Sequence, residues 1–355
     1  MERHLAQRVG FMDRMPEPFD EAEVGWLEGD SGQFHPLVRT TAWNFQQGAM
    51  AQWDPRAPSD RILFNRRDGD GFAGAVADLE GRIVCALERP IANVDPSGRF
   101  ALSVNFSRMF DYRPGYGYAG PPDPFANEAQ PEGDGIFRVD LGTGRSEPIL
   151  SLRELGRICR PWLGDRKILV NHLALNPSGK RFVALIRPFF NSGEKGLRTI
   201  VLTAGADGSE PFVLWDGGNA SHYHWRDAET LSMVIPYTEG RSTLAEFRDR
   251  TKEYRFIDPE FFRADGHQSY SPDRRFMLYD SYPIEQRRHL YLYDLEAGRG
   301  CDLGSVASAP WGNSADWQIR CDLHPRWRPD GRAVSLDSIH EGFRGIYVLE
   351  PTPDS

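Results

Sequence analysis

Four histidines in this chain occupy one fixed position in a repeated pattern, and their chemistry is the first clue to function. His172, His267 and His324 each lie five residues before a turn proline (Pro177, Pro272 and Pro329). His222 holds the same register, with Asp227 where the proline would stand. Repeats built alike place equivalent positions alike, so these side chains are expected to converge. Gathered imidazoles have two uses: they ligate a divalent metal, or they move protons near neutral pH.

The neighbours of these histidines extend the set. Asp322 precedes His324 by two residues and shares its face on an extended chain, giving an Asp-x-His pair suited to chelation. Arg320 lies two further back, and His224 shares a face with His222. The run after each turn ends in polar groups, among them Arg187, Asp280 and Asp337. Imidazoles bordered by carboxylates and an arginine suit a divalent metal with room for an anionic substrate. Each residue also has a plain structural role open to it. A lone histidine at a strand end is usually solvated, His224 can replace a core aromatic, and Asp280 and Asp337 begin Asp-Ser pairs that often cap turns. Arg187 serves equally as a surface group or a carboxylate contact. His4, His35, His289 and His340 fall outside the register and read as structural.

The elements that must position these groups recur six times. An apolar run before the turn (residues 50–54, 91–95, 172–176, 222–226, 267–271 and 324–328) is followed by a second run. Those second runs include Phe182-Val-Ala-Leu-Ile186 and Leu231-Ser-Met-Val-Ile235. A third run alternates apolar and polar residues, as in Leu290-Tyr-Leu-Tyr-Asp-Leu295, which is the period of a half-buried strand. Four antiparallel strands per unit describe an all-β fold, a β-propeller. Six repeats can be counted and a seventh can be accommodated in the N-terminal region or the long gap before Pro177. The chain is expected to form one propeller domain over residues 1–355, with an insertion around residues 106–135 and a short helix around Leu152 to Ile158. The last unit stops after its third strand, so a strand near Leu37 to Thr41 is expected to complete it and close the ring with the two chain ends.

Composition narrows the setting. A net charge of −9 argues against a nucleic-acid or anionic-membrane surface but leaves room for a local basic pocket. No apolar stretch reaches the ~18 residues of a membrane span. The four cysteines (Cys85, Cys159, Cys301, Cys321) are scattered without a metal-binding pair. Together with an N-terminus lacking a continuous apolar signal region, they point to a cytoplasmic protein with reduced thiols. There is no Gly-x-Ser-x-Gly elbow, and the Gly-rich pieces lie in hairpin turns, not in phosphate loops.

Asp322-Leu-His-Pro-Arg-Trp-Arg-Pro-Asp-Gly331 and Asn171-His-Leu-Ala-Leu-Asn-Pro-Ser-Gly179, with the Ser-Pro-Asp turn after His267, resemble the oligogalacturonate lyases. These sit within the wider group of TolB-type propellers, and the likeness spans roughly residues 45 to 350. The resemblance implies a seven-bladed propeller that cleaves an acidic, uronate-containing oligosaccharide by β-elimination. It also implies a divalent cation at the channel mouth, manganese first, with calcium, magnesium or zinc as alternatives. His267 and His324 match ligand positions. His222 matches a ligand or the base, and His172 matches the base if His222 is a ligand. The expected assignment is His222, His267, His324 and Asp322 on the metal and His172 as base. Arg187 is the expected carboxylate clamp, because it ends the antiparallel neighbour of the strand that His172 begins. Where the family has a further histidine and a glutamine, this chain reads Trp317-Gln-Ile-Arg-Cys-Asp-Leu-His324, so Asp322 takes a ligand's place. Two other readings fit the same histidines: a non-catalytic carbohydrate-binding or scaffold propeller, and a metal-dependent hydrolase or epimerase.

Overall fold

In the computed structural model, which describes residues 3–29, 31–191, 198–308 and 317–350, the chain folds as consecutive antiparallel meanders. There are seven such sheets, the blades of a β-propeller, spanning residues 3–40, 52–87, 93–151, 168–215, 221–256, 268–307 and 326–349. Within each, every strand is hydrogen-bonded to the next in sequence, which the tight turns between strands dictate. The six repeats read from the sequence are the last six of these sheets. The seventh blade is N-terminal, built from Arg3–Arg8, Ala22–Glu28 and Phe34–Thr40.

That arrangement corrects the expected closure. The strand holding Leu37 to Thr40 pairs with Ala22–Glu28 inside its own blade. The C-terminal blade has three strands among the described residues, Arg326–Trp327, Val334–Ser338 and Gly345–Leu349. Residues 3–28 already form a hairpin with Glu28 opposite Arg3, so the next strand extends that hairpin locally.

The described chain falls into two compact units, Met1–Val213 and Leu214–Ser355. In the first, the insertion opens as a helix, Phe106–Tyr112, capped by Asn105, and continues as turns to residue 134. Its polar anchor is Arg108, which pairs with Asp123 at 2.9 Å with both side chains sealed from solvent. Arg108 also donates to the carbonyls of Ile168, Glu128 and Ala129, so a buried charge is fully hydrogen-bonded. The second helix, Leu152–Leu163, starts at a capping box in which Ser151 and Glu154 bond each other's main-chain N–H. The second unit packs Leu244, Phe262, Met277, Tyr279 and Tyr293 into one apolar cluster and Leu278, Leu290, Leu323 and Leu336 into another. No helix among the described residues is long and apolar enough to cross a membrane.

Candidate metal centre

The register position has a distinctive backbone. His222 lies in the strand Ser221–Trp225 with φ of 42°, at a break in pairing between Ser221 and Tyr223. In the strand Ile168–Leu175 the break falls one residue earlier: Asn171 is skipped and His172 pairs regularly with Leu185. His324 (φ 42°) and Met50 (φ 52°) share the left-handed conformation but precede their strands, and His267 immediately precedes Gln268–Tyr270. Bulges and left-handed residues re-aim a side chain out of the strand's alternation. The left-handed backbone thus recurs at His222, His324 and Met50, whereas His172 and His267 hold the same register without it.

In the second unit three of the register histidines come together. The rings of His222 and His267 lie 4.2 Å apart, and those of His267 and His324 lie 4.1 Å apart. One ligand atom each from His267, Asp322 and His324 falls within 4.8 Å of the others. Asp280, at the end of the strand Phe276–Asp280, organises two of the three. Its Oδ1 accepts from the His267 main-chain N–H at 2.6 Å and lies 3.0 Å from His267 Nδ1, while its Oδ2 accepts from the His324 N–H at 3.0 Å. Gly266 makes the approach feasible, because a Cβ there would stand 1.8 Å from the Asp280 carbonyl oxygen. A carboxylate at Nδ1 fixes the ring and leaves Nε2 as the ligating atom.

Electrostatics follow from these contacts. Burial alone would push the His267 imidazole down, but the charge and hydrogen bond of Asp280 prevail and raise it. Burial and the charge of His267 drive His324 well below the usual imidazole range. Asp280 is held far below the carboxylate range by His267 and His324 despite complete burial. Asp322 is also buried, yet its carboxyl is lowered, first by Arg320 and then by His267 and Arg288. Arg288 Nη2 lies 2.6 Å from its Oδ1, and Arg320 Nε lies 2.9 Å from its Oδ2. Oδ2 nonetheless has no hydrogen bond and negligible exposure. A buried carboxylate oxygen that meets one guanidinium outside hydrogen-bond geometry, and lies beside two imidazoles, fits a cation.

His222 is engaged differently. Its Nδ1 lies 2.6 Å from Asp265 Oδ1, and its Nε2 lies 3.1 Å from the Tyr282 hydroxyl. Asp265 is steadied by Ser221 Oγ, and His222 with that hydroxyl overcomes burial to hold its carboxyl low. Both ring nitrogens of His222 are thus in use, and it is not among the three residues whose ligand atoms cluster.

The remaining candidates are placed as follows. Arg320 joins the site through Asp322 and donates Nη2 to the Tyr282 hydroxyl at 3.3 Å. Asp337 pairs with Arg326 at 2.8 Å and lies 3.9 Å from His324 Nδ1. His224 bonds the Trp225 carbonyl through Nδ1 and packs near Tyr270, as a core aromatic would. His172 belongs to the first unit, where its Nδ1 lies 3.4 Å from Gln47 Nε2 and its ring meets Tyr116. Arg187, also in the first unit, is buried and bonds Asn171 Oδ1 at 2.5 Å and Thr199 Oγ1 at 3.1 Å. Three participants escaped the sequence reading: Asp265, Tyr282 and Arg288. Asp265 stands two residues before His267, as Asp322 does before His324, and that shared offset was a usable signal.

No family model matches the chain, and no curated protein matches it in sequence. Solved structures show the fold. An oligogalacturonate lyase from Vibrio parahaemolyticus is similar over 99% of this chain and 92% of its own, at 14% identity and a TM-score of 0.62. An oligogalacturonate lyase in complex with manganese covers 99% and 98%, at 13% identity and a TM-score of 0.54. The tricorn protease is similar over 99% of this chain but 34% of its own, at 11% identity and a TM-score of 0.57. The β-propeller is common to all three.

Proposed function

We propose that this chain is a metal-dependent lyase that cleaves a uronate-containing oligosaccharide by β-elimination. The observation that carries the reading is the convergence of His267, His324 and Asp322, whose ligand atoms lie within 4.8 Å of one another. Support comes from the carboxylate that orients His267, from the buried Asp322 carboxylate beside the two imidazoles, and from the fold shared with a lyase solved with manganese. His267, His324 and Asp322 would hold the ion, and the mixed nitrogen and oxygen set suits manganese, with magnesium, calcium or zinc as alternatives. A divalent ion bound there would supply positive charge to the substrate carboxylate and so acidify the carbon α to it.

The chain's own residues supply the rest. His222, expected from the sequence as a further metal ligand with the base role as the alternative, is assigned here to the proton-transfer machinery, because Asp265 and Tyr282 take both its ring nitrogens. Asp265 holds the proton on Nδ1, so the imidazole meets its other neighbour through a basic Nε2. Arg320, held by Asp322 and the Trp317 carbonyl beside Tyr282, is the cation of this group, whereas Arg187 lies in the first unit against Asn171 and Thr199. Elimination then needs one proton removed from carbon and one returned to the departing oxygen.

The test is direct, because β-elimination creates a conjugated double bond that absorbs in the ultraviolet. Uronate oligosaccharides incubated with the protein and manganese should gain that absorbance, and a chelator should abolish the gain. Binding of the same sugars without absorbance would favour a carbohydrate-binding propeller instead.

A further inference from the structure

His222, Tyr282 and Arg320 form a directed chain of hydrogen bonds that a simple imidazole base does not need. Asp265 lies 2.6 Å from His222 Nδ1 and requires the proton there. In the neutral imidazole His222 Nε2 is then an acceptor, and the phenolic hydrogen of Tyr282 fills the 3.1 Å gap. The Tyr282 oxygen in turn accepts from Arg320 Nη2 at 3.3 Å. Every donor faces an acceptor, and the order runs from carboxylate through imidazole to phenol, with a guanidinium at the end.

The phenol is also rigidly held. Its ring stands edge-on to His222 at 5.1 Å and to Trp317 at 5.4 Å, with the Arg320 guanidinium 5.4 Å from its centre. Tyr282 as a residue is half-buried. Its hydroxyl occupies the Nε2 lone pair of His222, so the imidazole cannot meet a carbon acid while the phenol is in place.

We infer that Tyr282, not His222, is the catalytic residue that touches substrate, with His222 and Asp265 as the positioning pair behind it. The inference rests on the lyase reading above. The proton balance closes. The Tyr282 O–H proton passes to His222 Nε2 as the phenolic oxygen takes the proton from the carbon α to the substrate carboxylate. The C–H electron pair becomes the new double bond, and the C–O bond to the departing sugar breaks with its electrons on oxygen. Tyr282 gives its proton to that oxygen, and His222 returns its own to Tyr282. One phenol acts as base and then acid, and no external proton donor is consumed. Arg320 stabilises the negative charge that develops on the phenolic oxygen in each transfer.

Tyr282→Phe separates this from direct action by the imidazole. Turnover of a uronate oligosaccharide should fall about 10²–10⁴-fold, with KM, melting temperature and the manganese-induced melting shift unchanged. If the imidazole acts directly, the phenylalanine uncovers Nε2, and activity within a few-fold of the parent overturns the inference while leaving the lyase reading intact. A parent protein that yields no unsaturated product from any uronate sugar overturns both. Should Tyr282→Phe fail to fold, 3-fluorotyrosine at 282 keeps the ring and hydroxyl but makes the phenol more acidic. The pH–rate profile should then move to lower pH, and an unmoved profile refutes the role.

Discussion

The carboxylate of Asp280 accepts the main-chain N–H of His324 at 3.0 Å across 44 residues of sequence, from the blade before the one His324 introduces. The same carboxylate orients His267, so a single buried group sets the position of two histidines that the repeat pattern merely brings near. Packing alone gives no reason to bury a carboxylate there; holding two imidazoles at fixed separation does.

Asp280→Asn should therefore do more than remove a charge. The amide offers one oxygen and two N–H groups to a place lined by donors, leaving a buried donor without an acceptor at a cost of about 1–3 kcal/mol. Chemical denaturation should show that loss, together with a weakened manganese-induced melting shift. An unchanged denaturation midpoint would show that the pair does not organise the site.

His267→Ala and His324→Ala should each abolish the melting shift with manganese and the metal content found by elemental analysis. His224→Ala, whose ring belongs to the core side of its strand, should lower the melting temperature but keep the metal. Metal retained in both ligand variants would remove the centre from consideration.

Two further variants divide the proton-transfer role. His222→Ala should cost about 10²–10⁴-fold in turnover with metal content intact, because His222 is not a ligand in this reading. His172→Ala should retain most activity. Complete loss in His172→Ala alone would return the base role to His172.

Stability should depend on pH in two opposed ways when no metal is present. Asp265, Asp280 and Asp322 have lowered folded pKa values. Their contribution is present above the unfolded carboxyl value of about 3.9 and is lost as pH falls through the folded values. His267 is raised, so its contribution is present below about 6.5 and is lost as pH rises through the folded value. Urea midpoints measured from acid to alkaline pH in chelator should fall on both sides, and His267→Gln should remove the alkaline decline.

In the first unit, Arg108→Ala should strand the Asp123 carboxylate in the interior. Breaking such a pair from one side costs about 3–5 kcal/mol, so a large fall in melting temperature is expected.

Much of this was legible in the sequence, for a local reason. A Pro- or Asp-containing turn and an apolar run are set by neighbouring residues, so six repeats, the all-β class and the equivalence of His172, His222, His267 and His324 could be read directly. Asp322 could be read too, from its offset of two residues before His324, although the left-handed backbone at His324 means that strand alternation is not what brings the pair together. What the sequence could not supply are pairings made across blades and through loops. That Asp280 serves two histidines, that Asp265 and Tyr282 occupy both nitrogens of His222, and that Arg288 meets Asp322 depend on contacts 13 to 60 residues apart. The N-terminal strand was misassigned for a related reason: its residues suit either blade, and the short hairpin before it decided the matter. Residue type and spacing determined which groups could do chemistry here. Only the folded chain decided which nitrogen faces a carboxylate, which faces a phenol and which is left for a metal, because a side chain's role follows from the partner its other atoms have already taken.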